Sequence, residues 1–151
     1  MSKAVWGPAT WRFLHTVAAK IRPESFASQR KELLALVRKV CDVLPCPECR
    51  SHALQTLNRA NFNNIHSKDD LVTFLFEFHN VVNSQTRKQS QQRVILDQYN
   101  TANFGVVINE FASIYSVTSN ISSLMNDSFR RKLFLTWLRK YIIDNGKCFN
   151  A

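Results

Sequence analysis

Two cysteines three positions apart, in Cys46-Pro47-Glu48-Cys49, are the residues of this chain best placed to do chemistry. The flanking Pro45 and Pro47 forbid helix on the N-terminal side. The pair therefore opens a helix, where free amide N–H groups and the helix dipole favour a thiolate. Cys46 is expected at the exposed first turn and Cys49 one turn deeper, so that one thiol exchanges with a substrate while the other faces inward. The residues fit three roles: a redox disulfide, half of a zinc site, or a structural bridge. For zinc, Cys46, Cys49 and His52 supply three ligands and His66 a fourth.

His15 and His79 both fall on otherwise apolar helix faces, where a lone histidine is more often a satisfied core residue than a ligand. His79 and Asn83, however, share one face at i and i+4, with Lys88 just past the helix end. An imidazole, a carboxamide and a fixed positive charge suit the heteroaromatic ring and pyrophosphate of a nucleotide. Trp11 and His15 repeat the spacing with two flat rings able to stack on a third. Core packing accounts for either pair taken singly.

The elements that carry these residues read as helices. Pro8 sits where a first helical turn accepts proline, and Trp11, Leu14, His15, Ala18 and Ile21 recur at spacings of three and four until Arg22-Pro23. A second stripe holds Phe26, Leu33, Leu36, Val37, Val40, Cys41 and Leu44 and must end before Pro45. The Cys46-Cys49 segment restarts a third helix to about Leu57. Ser67-x-x-Asp70 then reads as a capping box for a fourth, running to about Arg87. A glutamine-rich joint leads to a short fifth piece around Val94 to Leu96 and Tyr99. Two more helices are expected over about Phe104 to Tyr115 and Leu124 to Ile143. In the last, Phe134, Trp137, Leu138, Tyr141 and Ile142 form a stripe too apolar to leave in water.

Composition narrows the possibilities. The chain has 151 residues, 45% hydrophobic and 21% charged, which fits one compact domain. Gly7, Gly105 and Gly146 are too few and too far apart for a glycine-rich phosphate loop. The turn chemistry of a hairpin-rich sheet is also missing, so the fold class expected is all-α. The net charge of +9 favours anionic partners, but the basic residues are scattered along helices rather than gathered in one run, and neither nucleic acid nor membrane insertion is expected. A zinc-stabilised helical module and a basic nucleic-acid-binding protein are the competing readings. The N-terminus lacks a signal peptide's apolar core, so the glycosylation tripeptides at Asn120 and Asn126 read as incidental.

Taken together, Trp6-Gly7-Pro8-Ala9-Thr10-Trp11-Arg12-Phe13-Leu14-His15-Thr16, Leu44-Pro45-Cys46-Pro47-Glu48-Cys49-Arg50-Ser51-His52 and Phe78-His79-Asn80-Val81-Val82-Asn83 followed by Lys88 resemble the flavin-dependent sulfhydryl oxidases of the Erv/ALR family. Order and spacing agree over about residues 5–100. The resemblance implies a four-helix FAD-binding bundle with a short fifth helix, residues 1–100, and a homodimer. Electrons would pass from a protein dithiol or a thioredoxin-like substrate to the Cys46-Cys49 disulfide, to FAD and to molecular oxygen, giving hydrogen peroxide. Cys49 would lie beside the isoalloxazine as the charge-transfer thiolate, and Cys46 would meet substrate. Trp11, His15, His79 and Asn83 would line the FAD and Lys88 its phosphates, with Thr10 and Tyr99 added; no metal is expected.

The sequence departs from the family in lacking the second cysteine pair that staples the fifth helix in many cellular members. It also adds residues 101–151, a helical extension expected to pack on the same domain or at a subunit interface. Such a short domain resembles the versions encoded by large DNA viruses, which places it in host cytoplasm or virion; a cellular member would belong in the mitochondrial intermembrane space. Cys41 reads as a small buried hydrophobe. Cys148 is open to three readings: a relay thiol, a partner of Cys41, or neither.

Overall fold

The computed structural model describes residues 1–118 and 121–151, so Asn120 of the first glycosylation tripeptide lies outside the described residues. The described chain is all-helical, as expected, with α1 Lys3–Lys20, α2 Phe26–Asp42, α3 Pro47–Arg59, α4 Lys68–Gln85, α5 Asp97–Asn100, α6 Phe104–Tyr115 and α7 Ser122–Asn145. Short 3₁₀ turns precede α2, α4 and α5 and follow α7. No helix among the described residues is long and apolar enough to cross a membrane.

Helix boundaries follow local chemistry with one correction. The first helix begins not at Pro8 but at Lys3, capped by Ser2, whose side-chain oxygen accepts the Ala4 N–H at 3.2 Å. Pro8 is thus inside the helix, where it leaves the Ala4 carbonyl without its i+4 donor. At α4 the Ser67 hydroxyl accepts the Asp70 N–H at 3.0 Å, while the Asp70 carboxylate reaches back one residue beyond the usual box, to the His66 N–H at 2.9 Å.

α1 is the hub. One side faces α4 and the other faces α6, so both flanks are buried, including Trp6, Phe13, Leu14, Val17 and Ala18. On the α6 side Phe13 stacks on Phe111 with ring centroids 4.1 Å apart, and Phe111 stacks in turn on Tyr115 at 4.2 Å. Each such side chain, fully buried, contributes roughly 1.5–3 kcal/mol. α7 lies along α2: the Tyr141 hydroxyl donates to Gln29 at 2.8 Å, and Phe134, Leu135 and Leu138 are buried. The C-terminus returns to the end of α1, where Ile21 and Phe149 form an isolated antiparallel bridge and the Asn150 N–H meets the Lys20 carbonyl at 2.7 Å. The second glycosylation tripeptide, Asn126-Asp127-Ser128, sits within α7 with Ser128 buried.

Candidate active site

Cys46 and Cys49 are joined by a disulfide at the N-terminus of α3, with Cα atoms 5.1 Å apart. Cys46 is the N-cap and Pro47 the first helical residue, so the first turn of the helix has an otherwise unpaired N–H to offer the Cys46 sulfur. The Cys49 N–H donates to Cys46 Sγ at 3.1 Å. Both cysteines are half-buried. Among the described residues no group of three or more His, Cys, Asp or Glu side chains is placed to hold a metal ion.

The disulfide forms part of the wall of a cavity of about 670 Å³ between α1, α3 and α4. Thr10, Trp11, Cys46, Cys49, His79, Asn83, Lys88 and Tyr99 all line it. Trp11 and His79 lie face to face, centroids 4.1 Å apart and 8° from parallel, and the Phe78 ring meets Trp11 edge-on at 5.2 Å. The end of α4 brings the polar groups together. Lys88 N–H bonds to the Asn83 carbonyl at 2.7 Å and Arg87 N–H to the Ser84 carbonyl at 3.3 Å, with Arg87 at φ 58°. This is a Schellman stop with an arginine in the left-handed position that glycine usually fills. It folds Lys88 back against Asn83.

Two of the residues singled out in the sequence do something else. His15 does not line this cavity: it is buried behind His79, its Nε2 2.9 Å from His79 Nδ1, and stacks on Tyr99 at 4.9 Å. It instead borders a smaller neighbouring cavity of about 230 Å³, which Tyr99 also lines. Thr10 is on the main wall, but its hydroxyl donates to the Trp6 carbonyl at 2.6 Å and so must accept from the Tyr115 hydroxyl, also at 2.6 Å. Thr10 has no proton left to offer a ligand. Burial raises the Tyr115 pKa well above its ordinary value, which keeps that donor protonated.

Burial also decides the histidine pair. It lowers His15 to about 3, with His79 adding to the effect, and it lowers His79 to about 4, with Lys88 adding. Both rings are neutral at pH 7, so one can donate its N–H to the other. In the unfolded chain each histidine takes up a proton near its ordinary value of 6.5. Stability is therefore complete above that value and declines as pH falls toward about 4. His15 alone raises the unfolded fraction by up to about tenfold per pH unit in that window, and the more exposed His79 adds less. Urea melts are expected to have a flat midpoint from pH 8 to 7 and a falling one from about 6.5 to 5, shallower in His79→Gln.

Two residues on or beside the wall carried no functional signal of their own in the sequence. Phe78 reads as core. Asn80, one residue past His79, takes the Gln91 N–H at 2.9 Å and gives its amide to the Gln91 carbonyl at 3.1 Å, pinning the glutamine-rich segment beside the cavity. Of the remaining cysteines, Cys41 is a free, buried thiol on the same wall, pushed up to about 12 by burial first of all. Cys148 is also free, so the two do not pair with each other.

Residues 8–103 match the model of the Erv1/Alr family. A protein of Invertebrate iridescent virus 3 is 32% identical over 97 residues, 63% of this chain and 66% of that one. The FAD-linked sulfhydryl oxidase of African swine fever virus, isolate Tick/Malawi/Lil 20-1/1983, is 30% identical over 106 residues, covering 66% of this chain and 88% of its own length. A rice protein of the same description is 34% identical over 88 residues, 58% of this chain and 45% of that one. The chain thus spans just under two thirds of the iridescent-virus relative and less than half of the rice one.

Proposed function

The chain belongs to the Erv1/Alr family, and on that premise we propose that it is an FAD-linked sulfhydryl oxidase that makes disulfides in protein substrates. The observation that carries the reading is that the Cys46–Cys49 disulfide and the Trp11-His79 ring stack line one cavity. The residues present fit the cofactor. Aromatic and apolar side chains suit a flat tricyclic ring, His79 and Asn83 suit its polar edge, and Lys88 suits a pyrophosphate. His15 acts through His79, which it holds in place, and Tyr99 closes the far side of His15.

The chain's own chemistry begins with a substrate thiolate attacking Cys46 Sγ. The Cys46–Cys49 bond breaks, a mixed disulfide forms on Cys46, and Cys49 leaves as a thiolate. A second substrate thiolate attacks the mixed disulfide, releasing the oxidised substrate and a reduced Cys46. The two electrons now reside on the cysteine pair. Bound FAD would supply the acceptor for these electrons and pass them to oxygen as hydrogen peroxide. Cys46, the cap of the helix, would be the thiol that meets substrate, and Cys49 the thiol that would face the flavin. The functional unit is a homodimer acting on protein dithiols, in host cytoplasm or virion as the viral relatives suggest. A purified, FAD-reconstituted chain is expected to have flavin absorbance and to produce peroxide in proportion to a dithiol such as dithiothreitol. A colourless protein that makes no peroxide refutes the reading.

A further inference from the structure

The residue directly after the redox pair is tied to the far end of the chain. Arg50 turns its guanidinium back over the Pro45 break, and Nη1 donates to the Leu44 carbonyl at 2.7 Å. Its backbone N–H meanwhile holds the Cys46 carbonyl at 2.9 Å. One residue therefore grips the turn on both sides of Pro45. From α7, Asp127 Oδ2 lies 3.4 Å from both Nη1 and Nη2. The pair is largely shielded, with side-chain exposures of 16% for Arg50 and 21% for Asp127.

The turn has few other tethers, because Pro45 and Pro47 have no N–H to contribute. What keeps Cys46 at the N-cap, with the Cys49 N–H on its sulfur, is the first helical bond together with the Arg50 grip on Leu44. A guanidinium fixed by a shielded carboxylate loses little further entropy in holding that carbonyl.

We propose that Arg50, fixed by Asp127 of the C-terminal extension, is a positioning residue that keeps Cys46 at the cap of α3 and so maintains its reactive thiolate. This rests on the reading of Cys46 as the substrate-facing thiol. It also assigns α7 a part in the redox unit.

The test is the pH midpoint of iodoacetamide alkylation of Cys46, followed by mass spectrometry on the reduced full-length protein carrying its flavin. The midpoint reports the thiolate fraction independently of accessibility, which changes only the plateau. The other charged or titratable groups lining the cavity, Lys3 from α1, Cys41 from α2, Glu48, Cys49 and His52 from α3, His79 and Lys88 from α4 and its exit, and Tyr99 from α5, are left in place. Asp127→Asn separates two effects. Removal of a negative charge by itself lowers the midpoint, whereas loosening of the cap raises it. Positioning predicts a rise that cuts the thiolate fraction at pH 7 about tenfold, with Asp127→Glu restoring it. An unchanged or lowered midpoint overturns the proposal even if melting temperature falls. If Asp127→Asn does not fold, Arg50→Lys decides: it keeps the charge but cannot hold Leu44 and Asp127 in the same fork, and an unchanged midpoint again overturns the proposal. Alkylation of the reduced pair needs no turnover, so a failed oxidase assignment and a failed positioning assignment give different results.

Discussion

Cys46→Ser and Cys49→Ser are each expected to lower steady-state dithiol oxidation by about three orders of magnitude or more, the scale of losing an indispensable catalytic group. The cause is stoichiometric. With one sulfur missing there is no internal disulfide to accept two electrons, and a lone Cys46 thiol offers no S–S bond for a substrate thiolate to break. Both proteins are expected to keep their flavin, because the ring stack and Asn83 are untouched. They differ in colour. With Cys49 as the proposed flavin-side thiol, Cys46→Ser is expected to show a long-wavelength thiolate-to-flavin absorption band that Cys49→Ser lacks. The reverse pattern exchanges the roles, and wild-type turnover in either protein removes the pair from the mechanism.

The second large effect is expected at the ring stack. Trp11→Ala removes a half-buried indole that contacts both His79 and Phe78, at a packing cost of about 2 kcal/mol after allowance for its partial exposure. A ligand present at about a hundred times its Kd stabilises the fold by about 2.7 kcal/mol, and the variant loses this as well if FAD no longer binds. The same coupling is expected in His79→Ala with a smaller packing component. Flavin content from the absorption spectrum and melting temperature with and without added FAD are the measurements. Wild-type flavin content alongside a lowered melting temperature identifies these positions as core only.

The C-terminal extension was the least legible part of the chain. Its helices were readable, and so was the stripe of Phe134, Leu138 and Tyr141, because an apolar face recurs every three to four residues whatever it packs against. Its destinations were not. Phe111 against Phe13, Tyr115 on Thr10 and Asp127 on Arg50 join residues 77 to 105 positions apart, and nothing local in either partner announces the other. Asn80 went unread for a related reason: its partner is the backbone of Gln91, which has no sequence signature.

By itself the sequence determined what local energetics govern: the all-helical class, the proline break before α3, the Ser67 cap, the cysteine pair at a helix start, and the i, i+4 placement of Trp11 with His15 and His79 with Asn83. Caps, prolines and helical spacing act within a turn or two, so they can be read in sequence order. The tertiary structure alone decided which face of α1 meets which helix, since α1 is apolar on both sides and its periodicity favours neither. That choice put His15 behind His79 instead of on the cavity wall and committed the Thr10 hydroxyl to Tyr115. Both outcomes depend on how whole helices pack, and packing energy is shared among many non-local contacts that no short stretch of sequence encodes.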